Sequence, residues 1–131
     1  MLSKEDALYL YAKMFNTGDY EAFLGVLADS FEMSSQHVLE DMVGKDAFRA
    51  YIEPKLITIA ESDLPVFAEL GILEAYGERE CVVLAQGDKD QLACVAYIGV
   101  ENGKVARLDL CVIPPPNQAI RSGIYPGITD N

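Results

Sequence analysis

Few side chains in this sequence combine useful chemistry with a placement that could exploit it. The one histidine, His37, titrates near neutrality and can carry a proton in either direction. Two residues earlier, Ser35 offers a hydroxyl. In an extended segment the two share a face, so Ser35–His37 is the one arrangement that would pair a hydroxyl nucleophile with a base. Tyr11 and Tyr97 are phenols among apolar neighbours. Each could donate to a carbonyl or enolate oxygen, and each could equally be a core tyrosine. Arg107 and Asp109 are charges in an otherwise apolar stretch. Cys81, Cys94 and Cys111 lack CxxC spacing and sit in apolar runs, which reads as buried, reduced thiols. No His/Cys/Asp cluster has ligand spacing, so no metal is expected. No glycine-rich phosphate cradle and no GxSxG is present, so no cofactor is expected either.

The chain has 131 residues, with 10 Lys+Arg against 21 Asp+Glu and a net charge of −11. That length suits one domain. The acidic excess argues against nucleic acid and anionic membranes as partners. The longest apolar run, Leu92 to Val100, has nine residues, well short of the ~20 that a membrane helix needs. Glu5 and Asp6 stand where a leader would be basic and then apolar, so a cytoplasmic location is expected. Glu61, Asp63, Glu69, Glu74, Glu78 and Glu80 read as a solvated acidic surface.

The elements follow from periodicity. Ser3 can cap a helix, with Asp6 three residues on, and Leu8, Tyr11, Ala12 and Phe15 form one helical face. Gly18 stops it. Asp19 caps a second helix, in which Tyr20, Phe23, Leu24, Leu27 and Ala28 repeat the spacing. Phe31, Met33, Ser35 and His37 then alternate with Glu32, Ser34 and Gln36, which predicts a strand. Ala47, Phe48, Tyr51 and Ile52 return to helical spacing, and Pro54 ends or kinks that helix. Residues 56–63 are ambiguous. Strands are expected near 65–76, 79–87, 91–101 and 104–113, separated by Tyr76-Gly77, Gly87–Asp90 and Asn102-Gly103. Pro114–Pro116 cannot join a ladder, leaving 114–131 as an extended or loose tail after a single domain, 1–113. Helices followed by an antiparallel meander make an α+β fold with a cavity between the layers.

Four stretches carry a resemblance. They are Asn16-Thr17-Gly18-Asp19-Tyr20, Leu27-Ala28-Asp29-Ser30-Phe31, Val43-Gly44-Lys45-Asp46-Ala47-Phe48 and Asn102-Gly103-Lys104-Val105. Over roughly 5–113 the chain resembles the nuclear-transport-factor-2-like superfamily, which includes ketosteroid isomerase and the SnoaL-like polyketide cyclases. The resemblance implies a cone-shaped, cystatin-like α+β roll, with three N-terminal helices packed on a curved antiparallel sheet. It also implies dimerisation through the outer sheet face. The isomerase's oxyanion tyrosine falls on Tyr11, but its general-base aspartate falls on Ser35 and its protonated aspartate on Val95. Standard ketosteroid isomerase chemistry is therefore not expected.

With Asn102-Gly103 as a two-residue turn, Glu101 faces Lys104, Tyr97 faces Leu108, Val95 faces Leu110 and Cys94 faces Cys111. Facing residues share a face, and the resemblance turns Leu108 and Leu110 inward. The expected ligand set is then Tyr11, Met33, Ser35, His37, Val95, Tyr97, Leu108 and Leu110, with Tyr11 and His37 as the catalytic candidates. Arg107, Asp109, Cys94, Ala96, Ile98 and Cys111 would be outside, where their apolar members suggest a homodimer. The sequence thus reads as a SnoaL-like domain that binds a hydrophobic small molecule. As an enzyme it would be a cofactor-independent isomerase, cyclase or dehydratase acting on a hydrophobic carbonyl compound. The alternative is a non-catalytic dimerisation or scaffold domain.

Overall fold

A computed structural model of the chain describes residues 1–36, 41–75 and 77–128. The first helix, α1, spans Lys4–Thr17. The Ser3 hydroxyl accepts from the Asp6 N–H at 3.1 Å, and the Asp6 carboxylate accepts from the Ser3 N–H at 3.2 Å. Gly18 closes the helix at φ +82°, in left-handed backbone that favours glycine. The Asn16 side chain then ties the helix end to the rest of the molecule. Its amide donates to the Ala68 and Pro126 carbonyls and its oxygen accepts from the Ala68 N–H.

The second helix is shorter than its spacing predicts. α2 covers only Glu21–Leu24, and β1 runs Leu27–Ser35, so Leu27 and Ala28 are strand residues. Gly25 is a poor helix former, and the Val26 carbonyl is taken by the Val105 N–H at 2.8 Å, which draws the chain into the sheet. β2, Met42–Val43, pairs with β1. α3 then runs Lys45–Glu61, straight through Pro54. The proline deprives the Ala50 carbonyl of its helical donor, at a cost of roughly 3 kcal/mol. Phe48, Ile52 and Leu56 are buried on one stripe that spans the break. Burial at ~1.5–3 kcal/mol per large apolar side chain outweighs that cost.

The remaining strands are β3 (Val66–Ala75), β4 (Glu78–Gln86), β5 (Leu92–Glu101), β6 (Lys104–Cys111) and β7 (Ile120–Arg121). They form one open sheet in the order β2-β1-β6-β5-β4-β3-β7. β3 to β6 are the expected antiparallel meander, but β1 lies parallel to β6, so the sheet is mixed. α1 packs on β3, β4 and β5, and α3 on β1 and β2. Ala68, Val82, Leu84, Ala96, Ile98 and Leu108 meet the helices across the inner face.

The hairpin register corrects a central expectation. Asn102 and Gly103 both have positive φ, and Glu101 faces Lys104 and Val100 faces Val105, as a two-residue turn requires. The next pair is Gly99 with Arg107, so Ala106 is an unpaired extra residue, a β-bulge. One extra residue moves every later β5 side chain to the other face. Tyr97 therefore faces Asp109, and Val95 faces Cys111. Both belong to the outer-face cluster of Leu73, Cys81, Val83, Val95, Tyr97 and Cys111. Cys94, Ala96 and Ile98 pack inward instead. Cys94 and Cys111, expected to face each other, lie on opposite sides of the sheet.

The segment after the prolines docks on that outer face. A 3₁₀ turn at Pro116–Gln118 packs on β5, Ala119 rests on the outer cluster, and β7 pairs with β3. Arg121 donates to Glu69 at 2.7 Å, Asp90 at 2.9 Å, the Lys89 carbonyl at 2.8 Å and the Tyr125 hydroxyl at 3.1 Å. The Gly123 N–H donates to the second Glu69 oxygen at 2.8 Å. Glu69, read from sequence as solvated, is a buried carboxylate held by the tail.

Candidate functional site

The space between helices and sheet is largely filled by aromatic rings. Tyr11 stands edge-on to Phe15 and Phe23 at centroid distances of 5.3 and 5.4 Å. Phe48 meets Phe23 at 5.8 Å and Phe31 at 5.4 Å in the same geometry. Past this stack, a cavity of about 150 Å³ remains between α1, α3 and the inner face of the sheet. Phe15, Ile59, Val66, Leu84 and Leu110 form its apolar wall, and Tyr11, Tyr51, Lys55, Gln86 and Cys94 bring polar groups to it.

Tyr11 is the buried polar group at its base. Among the described residues its hydroxyl has no hydrogen-bond partner, yet no sealed side-chain polar atom is left unsatisfied, so the hydroxyl opens onto the cavity. Burial, helped by neighbouring Cys94 and Tyr51, holds the phenol well above the ordinary tyrosine range. It is a protonated donor near neutrality, not a base. Burial also pushes the Cys94 thiol up to about 11, against the opposing charge of Lys55. Cys94 is therefore a neutral thiol at pH 7 rather than a nucleophile. Lys55 sits one helical turn after Tyr51, with its Nζ 5.6 Å from the Tyr51 ring centroid. No carboxylate is among the described residues that line the cavity. Its described residues can bind a ligand and polarise it.

The residues expected from sequence are dispersed. Tyr11 and Leu110 line the cavity. Met33 and Leu108 are packed into the core. Tyr97 and Val95 are on the outer face, where the Tyr97 hydroxyl donates to the Leu73 carbonyl at 2.9 Å. Ser35 ends β1 beside Leu110 and borders an open concavity of about 360 Å³ that also touches Tyr97, Arg107 and Asp109. His37 lies outside the described residues. The expected convergence of Tyr11, Ser35 and Tyr97 on one cavity therefore fails, because the Ala106 bulge turns Tyr97 away. Arg107 does lie outside as expected, paired with Asp109 at 3.0 Å and Glu32 at 3.3 Å.

Tyr51, Lys55, Gln86 and Cys94 were not anticipated at the site. Tyr51 was read as part of the third helix's apolar face, and Lys55 lies past the Pro54 break signal, although Tyr51, Lys55 and Ile59 continue an i, i+4, i+8 stripe along α3. Cys94 was hidden by the bulge. Gly99 was the available signal there, since a glycine inside a strand often marks one.

No family model and no curated protein matches this sequence. Solved structures do match. An NTF2-like protein of unknown function from Cytophaga hutchinsonii aligns at TM-score 0.59 and 14% identity, over 87% of this chain and 95% of that one. A proposed polyketide cyclase from Pseudomonas putida aligns at 0.56 and 18% identity, over 85% and 92%. A proposed ketosteroid isomerase from Kribbella flavida aligns at 0.54 and 16% identity, over 95% and 84%. With helices on one face of an open, mixed sheet, and with these likenesses running over most of its length, the chain has the nuclear-transport-factor-2-like fold.

Proposed function

We propose that this chain is a small-molecule-binding domain of the SnoaL-like kind, holding a compact hydrophobic molecule in the cavity of a cone-shaped roll. The observation that carries this reading is the Tyr11 hydroxyl, a protonated donor without a protein partner among the described residues, at the base of a recess walled by Phe15, Ile59, Val66, Leu84 and Leu110. A buried phenol hydrogen bond to a ligand carbonyl is worth about 0.5–1.5 kcal/mol net. Tyr11→Phe should weaken binding of a carbonyl probe such as acetophenone by a few-fold to about tenfold, with the fold intact. Equal affinity in the two proteins would remove Tyr11 from the site.

The names of the solved relatives support an enzymatic version: a cofactor-independent isomerase, cyclase or dehydratase acting on a hydrophobic carbonyl compound. Tyr11 would polarise the carbonyl and His37 would move the proton. The hydroxyl of Ser35 cannot serve as a carboxylate base, which favours binding over standard isomerisation. The scaffold alternative draws on the small size of the cavity and the aromatic stack that fills the space beneath it. A homodimer through the outer face would now use the half-exposed strip around Arg107 and Asp109, since Cys94, Ala96 and Ile98 face inward.

A further inference from the structure

Every polar side chain among the cavity's described residues carries a hydrogen-bond donor. Tyr11 and Tyr51 present phenols, Cys94 a protonated thiol, Gln86 an amide and Lys55 an ammonium, so each can donate a hydrogen bond. No acid is among the described residues that line the cavity, although the chain carries 21 Asp+Glu against 10 Lys+Arg. The ion pairs among the described residues engage Lys4, Arg49, Arg79, Arg107 and Arg121, and none uses Lys55. The acid two residues before it, Glu53, is held by Arg49 at 3.1 Å. Lys55 thus brings an unpaired charge to the cavity's edge, while Tyr11 offers a donor at its base.

Size sets the second constraint. About 150 Å³ is well below the ~300–1,000 Å³ of ordinary ligand pockets. An apolar cavity of about that volume accommodates one benzene ring. A multi-ring polyketide or steroid does not fit within it.

We propose that the cavity selects a small aromatic monocarboxylate, its ring against Phe15 and Leu84 and its carboxylate hydrogen-bonded toward Lys55. This rests on the cavity being a ligand site. It adds the ligand's charge and its single-ring size, and it makes Lys55 a specificity-determining residue.

The test compares benzoate with benzamide, which match in ring and differ in charge. Each is titrated into the full chain at 20 mM salt, followed by amide and methyl NMR shifts of the cavity residues. The Lys55 ammonium is exposed, so its effect is that of a solvent-accessible ion pair, about three- to fivefold. Wild type should bind benzoate about three- to fivefold more tightly than benzamide. Lys55→Gln, at an exposed position, should bring the two within twofold, chiefly through loss of benzoate affinity. Raising salt to 500 mM should erode the wild-type preference. Equal binding of both probes to wild type, or a benzoate preference that survives Lys55→Gln, would overturn the charge assignment and leave the ligand site standing. Absence of cavity shifts with benzoate, benzamide and toluene alike would overturn both.

Discussion

The tail's hold on the sheet can be tested by removing one side chain. In Arg121→Ala the Glu69 carboxylate loses its charge partner while keeping the Gly123 N–H. The Glu69 side chain is only 4% exposed, and that of Arg121 is 30% exposed. Removing one partner from a buried ion pair costs about 3–5 kcal/mol. Partial exposure of Arg121 and the surviving backbone donor put the expectation lower, at about 2–3 kcal/mol. For a domain of this length each kcal/mol moves the melting temperature by roughly 4 °C, so a fall of roughly 8–12 °C should follow. Urea titration at pH 7, followed by circular dichroism, measures the first quantity and a thermal scan the second. Glu69→Gln combined with Arg121→Ala should cost less than the two changes summed, because the stranded charge is gone. Hydrogen exchange should show the Ser122 and Leu70 amides, which bond Leu70 and Ile124 carbonyls across the junction, losing protection before the core strands. Stability within about 0.5 kcal/mol of wild type, with Ser122 still protected, would refute the view that this ion pair anchors the tail.

Tyr97→Phe removes the hydroxyl that donates to the Leu73 carbonyl at 2.9 Å. It should cost about 1 kcal/mol in urea titration and leave benzoate binding unchanged. A large loss of binding would put Tyr97 back in the ligand site. Burial pushes Cys81 from 9.0 to about 12 and Cys94 from 9.0 to about 11, so folding favours both neutral thiols. Their contribution to stability is complete below about pH 9 and is lost as pH climbs through 11 to 12. Urea midpoints should fall over that window, and less steeply in the Cys81→Ala, Cys94→Ala double variant; parallel curves would contradict this account.

Local chemistry fixed much of this protein in advance. The Ser3–Asp6 cap, the Gly18 stop, the Asn102-Gly103 turn and the four strands of the meander are effects within a few residues of chain, and all stand within two residues of where the sequence put them. The overall α+β class followed from their order. Errors began wherever distant packing outweighed a local signal. Gly25 and the pull of Val105 converted Leu27 and Ala28 from helix to strand. The buried stripe of Phe48, Ile52 and Leu56 carried α3 through Pro54 and so brought Lys55 to the cavity. Glu69 reads as one more surface acid until Arg121, 52 positions later, covers it. Of the described residues read as ligand-binding, Tyr11 and Leu110 line the cavity between helices and sheet. A strand's side-chain period is two, so one bulge at Ala106 exchanged the two faces of β5, sending Tyr97 out and Cys94 in. Sequence determined which segments could be strands; only the completed sheet decided which face of each strand was the inside, because burial against the helices, not the turn, selects the register.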